Sequence, residues 1–203
     1  MKTPEFIEVL KTRRSIRHYK TQIPSKKIIL EILDIARHCA NAHNSQPYRF
    51  IVILNSNLKQ TLIKAIVSKY EQDLRKDSIP EAHIANVIEN AMNNFLDAPV
   101  LILACITLDE MHKYPDPERQ HCELLMAIQS CANSLQNLLL IAHAKKLGAC
   151  WYCAPLFCPD IVKKVLNLPS SYIPQAFITL GTSNETPTPI NRKPLDEIVQ
   201  FLE

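Results

Sequence analysis

The sequence predicts an α+β fold in which helices cover a small central sheet, giving three layers. Short apolar runs that are typical of buried strands recur along the chain, and longer segments between them repeat their apolar residues at helical spacing. Strands and helices do not alternate regularly, which disfavours a doubly wound parallel sheet. At 203 residues, of which 47% are hydrophobic, the chain is predicted to form one domain over residues 1–203.

The chain is predicted to begin with two helices. A short helix over 4–12 is followed by one over 26–40, and Ser25, after Pro24, is a typical N-cap for the second. Apolar residues recur three or four positions apart in that helix: Ile28, Ile29, Ile32, Leu33, Ile35 and Ala36. This spacing places them on one buried face.

Two apolar runs in the first half are predicted to be buried strands. One is the largely β-branched run 50–54, and the other is the run 99–106, PVLILACI. Between them we expect helices over 57–69 and 81–96, separated by a charged, exposed segment over 70–80.

One long helix, predicted over 118–146, is the central core element of the second half. It follows a proline-rich turn at 114–117, and its apolar residues repeat every three or four positions. Gly148 is expected to supply the left-handed residue that ends it. Three shorter elements are predicted after it: an extended piece at 150–152, a helix over 159–167 and a strand over 174–180.

The C-terminal tail that starts at Gly181 is predicted to be an extended arm. Pro187, Pro189 and Pro194 interrupt regular structure until 195–202. An extended tail with little apolar content gains most by lying on another subunit, which points to a homo-oligomer.

Charge and composition exclude several classes of partner. The chain has 23 basic and 20 acidic side chains and no dense basic run with interleaved aromatic residues, so nucleic acid is not an expected partner. Neither a signal-peptide pattern nor a run of eighteen apolar residues occurs, and we expect a soluble, cytoplasmic protein that binds no membrane. The seven cysteines are an odd number and are expected to be reduced.

Glycine is scarce in this chain. Only Gly148 and Gly181 occur, so neither of the two common Gly-rich phosphate loops can form. Any phosphate group must therefore be held mainly by side chains and helix termini.

Four polar residues after the first helix form the first candidate site: Arg13, Arg14, Ser15 and Arg17. Guanidinium groups make charge-assisted, bidentate hydrogen bonds to phosphate, and a serine hydroxyl adds a further contact. Taken alone, the same residues also suit a solvated basic turn.

A second candidate site is His43, Asn44, Ser45 and Gln46. The two amide side chains offer both donors and acceptors, which the polar edge of a pyrimidine-like ring requires, although the segment alone also suits a simple turn. Near the C-terminus, Arg192 lies in a short basic segment that indicates little by itself.

Four motifs, taken in order, resemble those of the nitroreductase family of flavin enzymes. They are RRSIR near the start, HNSQPYRF some thirty residues later, LGACW after the long helix, and ITLG followed by NRKPLDEIV near the end. Their order and spacing match over nearly the whole chain. The resemblance implies a three-layer nitroreductase-like fold, with a mixed central sheet flanked by helices and an extended C-terminal arm.

The resemblance also implies a homodimer with FMN at the subunit interface. It makes Arg13, Arg14, Ser15 and Arg17 the cofactor ligands of the first motif, with Arg13, Ser15 and Arg192 on the phosphate and ribityl side. Arg17 would lie near the pyrimidine edge, where a fixed positive charge stabilises the reduced flavin. Residues 43–46 would reach in from the partner subunit.

A further part of the implied cofactor site is the segment that follows the long helix. The resemblance places the backbone of Cys153 and Ala154 beside the flavin N5 atom. Many relatives have glycine two residues after the tryptophan, where this chain has Cys153 after Trp151, and a side chain there would narrow the pocket or shift the backbone.

The implied reaction takes hydride from NADH or NADPH and reduces a small, flat acceptor of the nitroaromatic or quinone type by a ping-pong mechanism. No catalytic acid or base from the chain is required, because the flavin carries the hydride chemistry. Three alternatives stay open. They are the same flavin fold used for oxidation, dehalogenation or flavin modification, a non-catalytic flavin-binding protein, and a dithiol protein that uses Cys150 and Cys153.

No metal site is expected from the sequence. His143 has no partner at ligand spacing, and five other histidines suit surface or helix positions: His18, His38, His83, His112 and His121. Packed thiols are favoured over a dithiol pair, because no thioredoxin-like pattern surrounds Cys150 and Cys153.

Overall fold

The computed structural model describes residues 3–202. The helices are α1 (Thr3–Thr12), α2 (Lys26–Ala36), α3 (Ser56–Lys76), α4 (Glu81–Leu96), α5 (Pro117–Ala144) and α6 (Pro159–Leu166). The strands are β1 (Tyr48–Ile53), β2 (Val100–Ile106), β3 (Gly148–Tyr152) and β4 (Ile173–Gly181). Short 3-10 turns lie at Ala42–Asn44, Ala154–Phe157 and Leu195–Glu197.

The strands form one sheet in the order β1-β2-β4-β3. All three strand pairs are antiparallel, so the prediction of a mixed sheet is wrong. Among the described residues, parallel pairing occurs only at the isolated bridge between Ser15 and Ala149. Two helices, α3 and α4, connect β1 to β2, whereas a parallel crossover commonly uses one. The second helix returns the chain to the end of the sheet that β1 has just left, which makes the pair antiparallel.

Helices cover both faces of the sheet, and the predicted three-layer α+β class is confirmed. Alternate residues of β2 enter two separate cores: Ile102 packs with α2 and α5, and Leu103 packs with α3, α4 and α6. Because β2 is buried at every position, its side chains must be apolar throughout, which explains its unbroken apolar run.

Two helix boundaries differ from the prediction. Helix α3 does not end at 69 but continues to Lys76, and ion pairs between Lys69 and Asp73 and between Glu71 and Arg75 stabilise the added turns. Helix α2 ends at Ala36 rather than at residue 40, because the next residues turn toward β1.

The long helix α5 has the predicted extent within two residues, but Lys146, not Gly148, adopts the left-handed conformation after it. By length and composition α5 is the one described helix that could cross a membrane. Here Leu135 and Leu138 are wholly buried in the core, as expected of the central helix of a soluble fold.

Both glycines are required by close packing rather than by positive φ. A Cβ atom at Gly148 would lie 2.6 Å from Ile16 Cγ2, and one at Gly181 would lie 2.5 Å from the Pro99 ring. Gly148 thus lets the segment after α1 approach the edge of the sheet.

The two ends of the described chain expose apolar side chains. None of the described residues of α1 is buried, and Phe6, Ile7 and Leu10 are exposed. The tail exposes large apolar side chains as well: Ile190, Leu195, Ile198, Val199, Phe201 and Leu202. Such surfaces are typical of protein contacts.

Candidate functional site

The segment that follows α1 is fixed to the edge of the sheet. The backbone N–H of Ile16 donates to the carbonyl of Ala149 in β3 at 3.0 Å, beside the bridge between Ser15 and Ala149. Within residues 3–202 the half-buried Ser15 side chain makes no hydrogen bond. Its hydroxyl is therefore free for a ligand.

The positive charge of Arg192 acts on Arg13, although the two residues are far apart in the sequence. The pKa of Arg13 is lowered by burial and then by the positive charges of Arg192 and Arg14. In the described part of the chain, neither Arg13 nor Arg192 has an ion-pair partner. Two nearby guanidinium groups without a carboxylate form a favourable site for an anion.

Arg14 makes hydrogen bonds within its own chain. Its Nη1 donates to the carbonyls of Lys11 at 2.7 Å and Arg13 at 2.8 Å, so the guanidinium binds the carbonyls that end α1. Arg14 adds positive charge to the cluster, but its Nη1 donor group is already engaged with these backbone carbonyls.

His143 also belongs to this cluster, a position that the sequence does not indicate. Its Nε2 is 2.9 Å from Thr12 Oγ1, and its pKa is lowered by burial and by Arg13 and Arg14. The available signal was its place in the last turn of α5, a position that does not reveal the contact with α1.

Glu185 joins the start of the tail to the first motif and was also missed. Its Oε1 accepts hydrogen bonds from the backbone N–H groups of Arg17 at 2.5 Å and His18 at 3.1 Å. Burial disfavours its charge, but these N–H groups and the nearby positive charges outweigh that effect, and the pKa of Glu185 is lowered.

Tyr19 is buried between the segment that follows α1 and strand β4. Its hydroxyl donates to the Ile16 carbonyl and lies 2.7 Å from Thr179 Oγ1. Burial raises the pKa of Tyr19 well above the usual range of a phenol. The Tyr48 hydroxyl donates to the Arg37 carbonyl at 2.7 Å. Burial raises the pKa of Tyr48 to about 12, and Cys39 contributes to the rise.

We expect the free energy of unfolding to decrease as the pH rises above about 10, the ordinary pKa of a phenol. The unfolded chain releases the Tyr19 and Tyr48 protons from that pH upward, whereas the folded chain retains them, so the unfolded state gains stability. Each phenol contributes a slope of up to about 1.4 kcal/mol per pH unit. Urea unfolding measured between about pH 8 and about pH 11 gives this slope.

The variant Tyr19→Phe should have a shallower alkaline slope than the parent chain, and Tyr19→Phe combined with Tyr48→Phe a shallower one still. The buried thiols of Cys105 and Cys131, whose pKa burial raises to about 12, keep part of the slope in both variants. Equal slopes in the parent and the double variant would contradict the prediction.

The second candidate segment joins α2 to β1 and has an unusual backbone. His43, Asn44 and Gln46 have φ values of 56°, 53° and 46°. Contacts with α5 support it, since Ser130 Oγ accepts a hydrogen bond from the Ala42 N–H at 3.0 Å.

The side chains of this segment divide into two groups. Ser45 is buried, and its hydroxyl donates to the Ala42 carbonyl at 2.7 Å. His43 lies against Glu123. The side chains of Asn44 and Gln46 are exposed and open to a ligand or a second subunit.

The two candidate segments lie at opposite ends of α5. His43 contacts Glu123 near the start of the helix, and the arginine cluster contacts His143 near its end. At a rise of about 1.5 Å per residue, these two positions are about 30 Å apart. One copy of the chain therefore does not bring the two segments together.

The end of β3, at Tyr152, lies beside a cavity of about 500 Å³. Residues of α3 and α4 form the opposite wall, and aromatic side chains from both sides line the space: Tyr70, Phe95, Tyr152 and Phe157. Cys153 and Ala154 also line it. Tyr152 Oη is buried and has no hydrogen-bond partner among the described residues, and burial raises its pKa.

Cys150 and Cys153 differ in environment. Cys150 is 2% exposed in β3, Cys153 is exposed after the strand, and all seven cysteines are free thiols. The arrangement gives no support to a dithiol pair.

The described chain is a three-layer α+β protein with a cluster of arginines beside the edge strand β3 of its sheet. The chain belongs to the nitroreductase family, whose model matches residues 10–182.

Individual relatives agree with this assignment. A protein of Methanothermobacter thermautotrophicus, provisionally named an NADH dehydrogenase/NAD(P)H nitroreductase, is 28% identical over 185 residues, which are 90% of this chain and 80% of the relative. A BluB-like flavoprotein from Clostridium difficile has a TM-score of 0.79 and 22% identity, with all of both chains covered. A Desulfovibrio desulfuricans protein solved in complex with FMN has a TM-score of 0.74 and 22% identity, with 100% of this chain and 99% of the other covered. The two structures establish the shared fold.

Proposed function

We propose that this chain is an FMN-dependent oxidoreductase that forms a homodimer, takes hydride from NADH or NADPH and reduces a small, flat acceptor of the nitroaromatic or quinone type. Three findings support the proposal. They are the membership in the family, the name of the Methanothermobacter thermautotrophicus relative, and the FMN in the Desulfovibrio desulfuricans structure.

The observation that carries the proposal is the uncompensated pair of Arg13 and Arg192. Neither guanidinium group has an ion-pair partner in the described chain, the positive charge of Arg192 acts on Arg13, and the Ser15 hydroxyl, two residues from Arg13, makes no hydrogen bond there. A phosphate group would remove their mutual repulsion and accept bidentate hydrogen bonds from both. The residues present therefore fit the phosphate end of FMN, in a chain without a Gly-rich loop.

The separation of the two candidate segments supports a homodimer. Asn44 and Gln46 lie about 30 Å along α5 from the arginine cluster of their own subunit, at the helical rise of about 1.5 Å per residue. A second copy would supply them to the cluster and would also cover the exposed apolar side chains of α1 and the tail.

When bound, FMN would supply the hydride chemistry, and the chain would supply position, charge and a dry pocket. Arg13, Ser15 and Arg192 would hold the phosphate and ribityl groups, and Arg17 would place its charge near the pyrimidine edge. Cys153 and Ala154 would present their backbone to the ring. The apolar, aromatic-lined cavity beside them suits a flat organic acceptor.

The test is an absorbance spectrum of the purified protein, followed by anaerobic addition of NADH and of NADPH. We expect flavin absorption that bleaches with at least one donor and recovers on addition of a nitroaromatic or a quinone. A colourless protein that does not bind added FMN would overturn the proposal, and a yellow protein that neither donor bleaches would indicate flavin binding without this reaction.

A further inference from the structure

Three side chains of the types that bind transition metals meet near the start of α5. His43 comes from the turn before β1, His112 from the loop after β2, and Glu123 from α5 itself. One ligand atom of each lies within 4.8 Å of the other two, and His43 Nε2 is 3.4 Å from Glu123 Oε1. Only the fold brings them together, so their spacing in the sequence does not indicate a metal site.

Glu123 is a buried carboxylate whose charge is weakly compensated. Its side chain is 2% exposed. Oε2 accepts a hydrogen bond from the His112 backbone N–H at 3.1 Å, and the His43 ring is farther from Oε1 than a strong charge-assisted hydrogen bond allows. Buried carboxylates are retained in proteins when they are paired or bind a metal.

The two histidine rings are free to take part. Both residues are exposed, and the rings stack with centroids 4.0 Å apart and an interplanar angle of 20°. Ligand atoms around a metal at about 2.1 Å are about 3 to 3.5 Å from one another, so the exposed rings would rotate out of their stack to point both nitrogens at one metal ion. Of the nearby basic groups, Arg119 is already paired with Asp116.

We propose that His43, His112 and Glu123 form a binding site for a divalent first-row transition metal, of which Zn²⁺ is the best match. Zn²⁺ is commonly bound by imidazole nitrogens together with a carboxylate oxygen, whereas Ca²⁺ and Mg²⁺ are bound by oxygen ligands alone. The remaining coordination positions face solvent, where the two histidines are exposed.

The site would fix the turn between α2 and β1. His43 directly precedes Asn44, in the segment with the left-handed backbone, and both other ligands belong to different parts of the chain. A bound metal would hold this turn to α5 and would act on structure rather than on electron transfer. The inference does not depend on the proposed flavin chemistry.

The test uses untagged protein freed of metal with a chelator and titrated with Co²⁺, whose visible absorption reports nitrogen and oxygen coordination, and with Zn²⁺ by calorimetry. We expect one equivalent per chain and a rise in the melting temperature with Zn²⁺. The variants His112→Ala and Glu123→Gln should weaken binding by about tenfold or more, since even residues outside the ligand set change metal affinity by that factor.

His121→Ala is the matched control, because His121 is an exposed histidine at the same end of α5 and lies outside the cluster. It should bind both metals as the parent chain does. His112→Ala alters an exposed side chain, so it keeps the test valid if Glu123→Gln does not fold. Absence of stoichiometric binding by the parent chain, or binding that is unchanged in His112→Ala, would overturn the inference.

Discussion

Replacing both Arg13 and Arg192 with alanine is expected to weaken FMN binding by roughly 100-fold or more, since each guanidinium contact with phosphate contributes about 1.5–3 kcal/mol. Each single variant should lose about tenfold or more on the same basis. Arg13→Lys should fall between the parent and Arg13→Ala, because lysine keeps the charge and loses the bidentate geometry. Quenching of FMN fluorescence during titration with the apoprotein measures the FMN affinity of the parent chain and of each of these variants.

The control is Arg37→Ala, which removes an exposed arginine paired with Asp34 and should leave the FMN affinity unchanged. The melting temperature of the apoprotein separates binding from stability. Removing Arg192 relieves the repulsion that lowers the pKa of Arg13, so the apoprotein should not lose stability. An FMN affinity unchanged in the double variant would refute the assignment of the phosphate site.

Deleting residues 186–203 is expected to abolish the dimer at micromolar concentration and, with it, tight FMN binding. The deletion removes the exposed Leu195, Ile198, Phe201 and Leu202, whose burial against a second subunit is the main gain available to the tail. Glu185 stays in the truncated chain and keeps its hydrogen bonds to the Arg17 and His18 N–H groups, so the subunit should fold. Light scattering coupled to size exclusion reports the oligomeric state.

The deletion removes Arg192 as well as the apolar side chains of the tail. Two full-length variants distinguish the effects of these two losses. Arg192→Ala should remain dimeric and bind FMN weakly. Ile198→Ser combined with Phe201→Ser keeps Arg192 and should weaken the dimer. A truncated protein that remains dimeric over a range of concentrations would show that the tail is not an intersubunit arm.

The central strands and the long helix could be predicted because local pattern alone determines them. The apolar run of β2 is buried on both faces, and the apolar repeat of α5 extends over the whole helix. The end of α3 could not be predicted, because its last turns are charged and are stabilised by ion pairs such as Lys69 with Asp73. Strand direction was missed because an apolar run is the same in either orientation.

The candidate site was predictable only in part for a related reason. Arg13, Ser15 and Arg17 adjoin one another in sequence, so their cluster is visible there, whereas Arg192 gained meaning only from the resemblance of the whole chain to a family. Glu185 and His143 reach the cluster through tertiary contacts that leave no sequence pattern. The contact between His43 and Glu123 is also a tertiary contact that leaves no sequence pattern.

The attachment of Glu185 to the N–H groups of Arg17 and His18 has a consequence for how binding depends on protein concentration. Because the tail is tethered there, Arg192 is delivered to Arg13 as an intramolecular partner at a fixed effective concentration. Asn44 and Gln46 of a second subunit would instead arrive by a bimolecular step. Dilution would therefore withdraw the contacts of Asn44 and Gln46 with the proposed flavin while leaving its phosphate contacts in place.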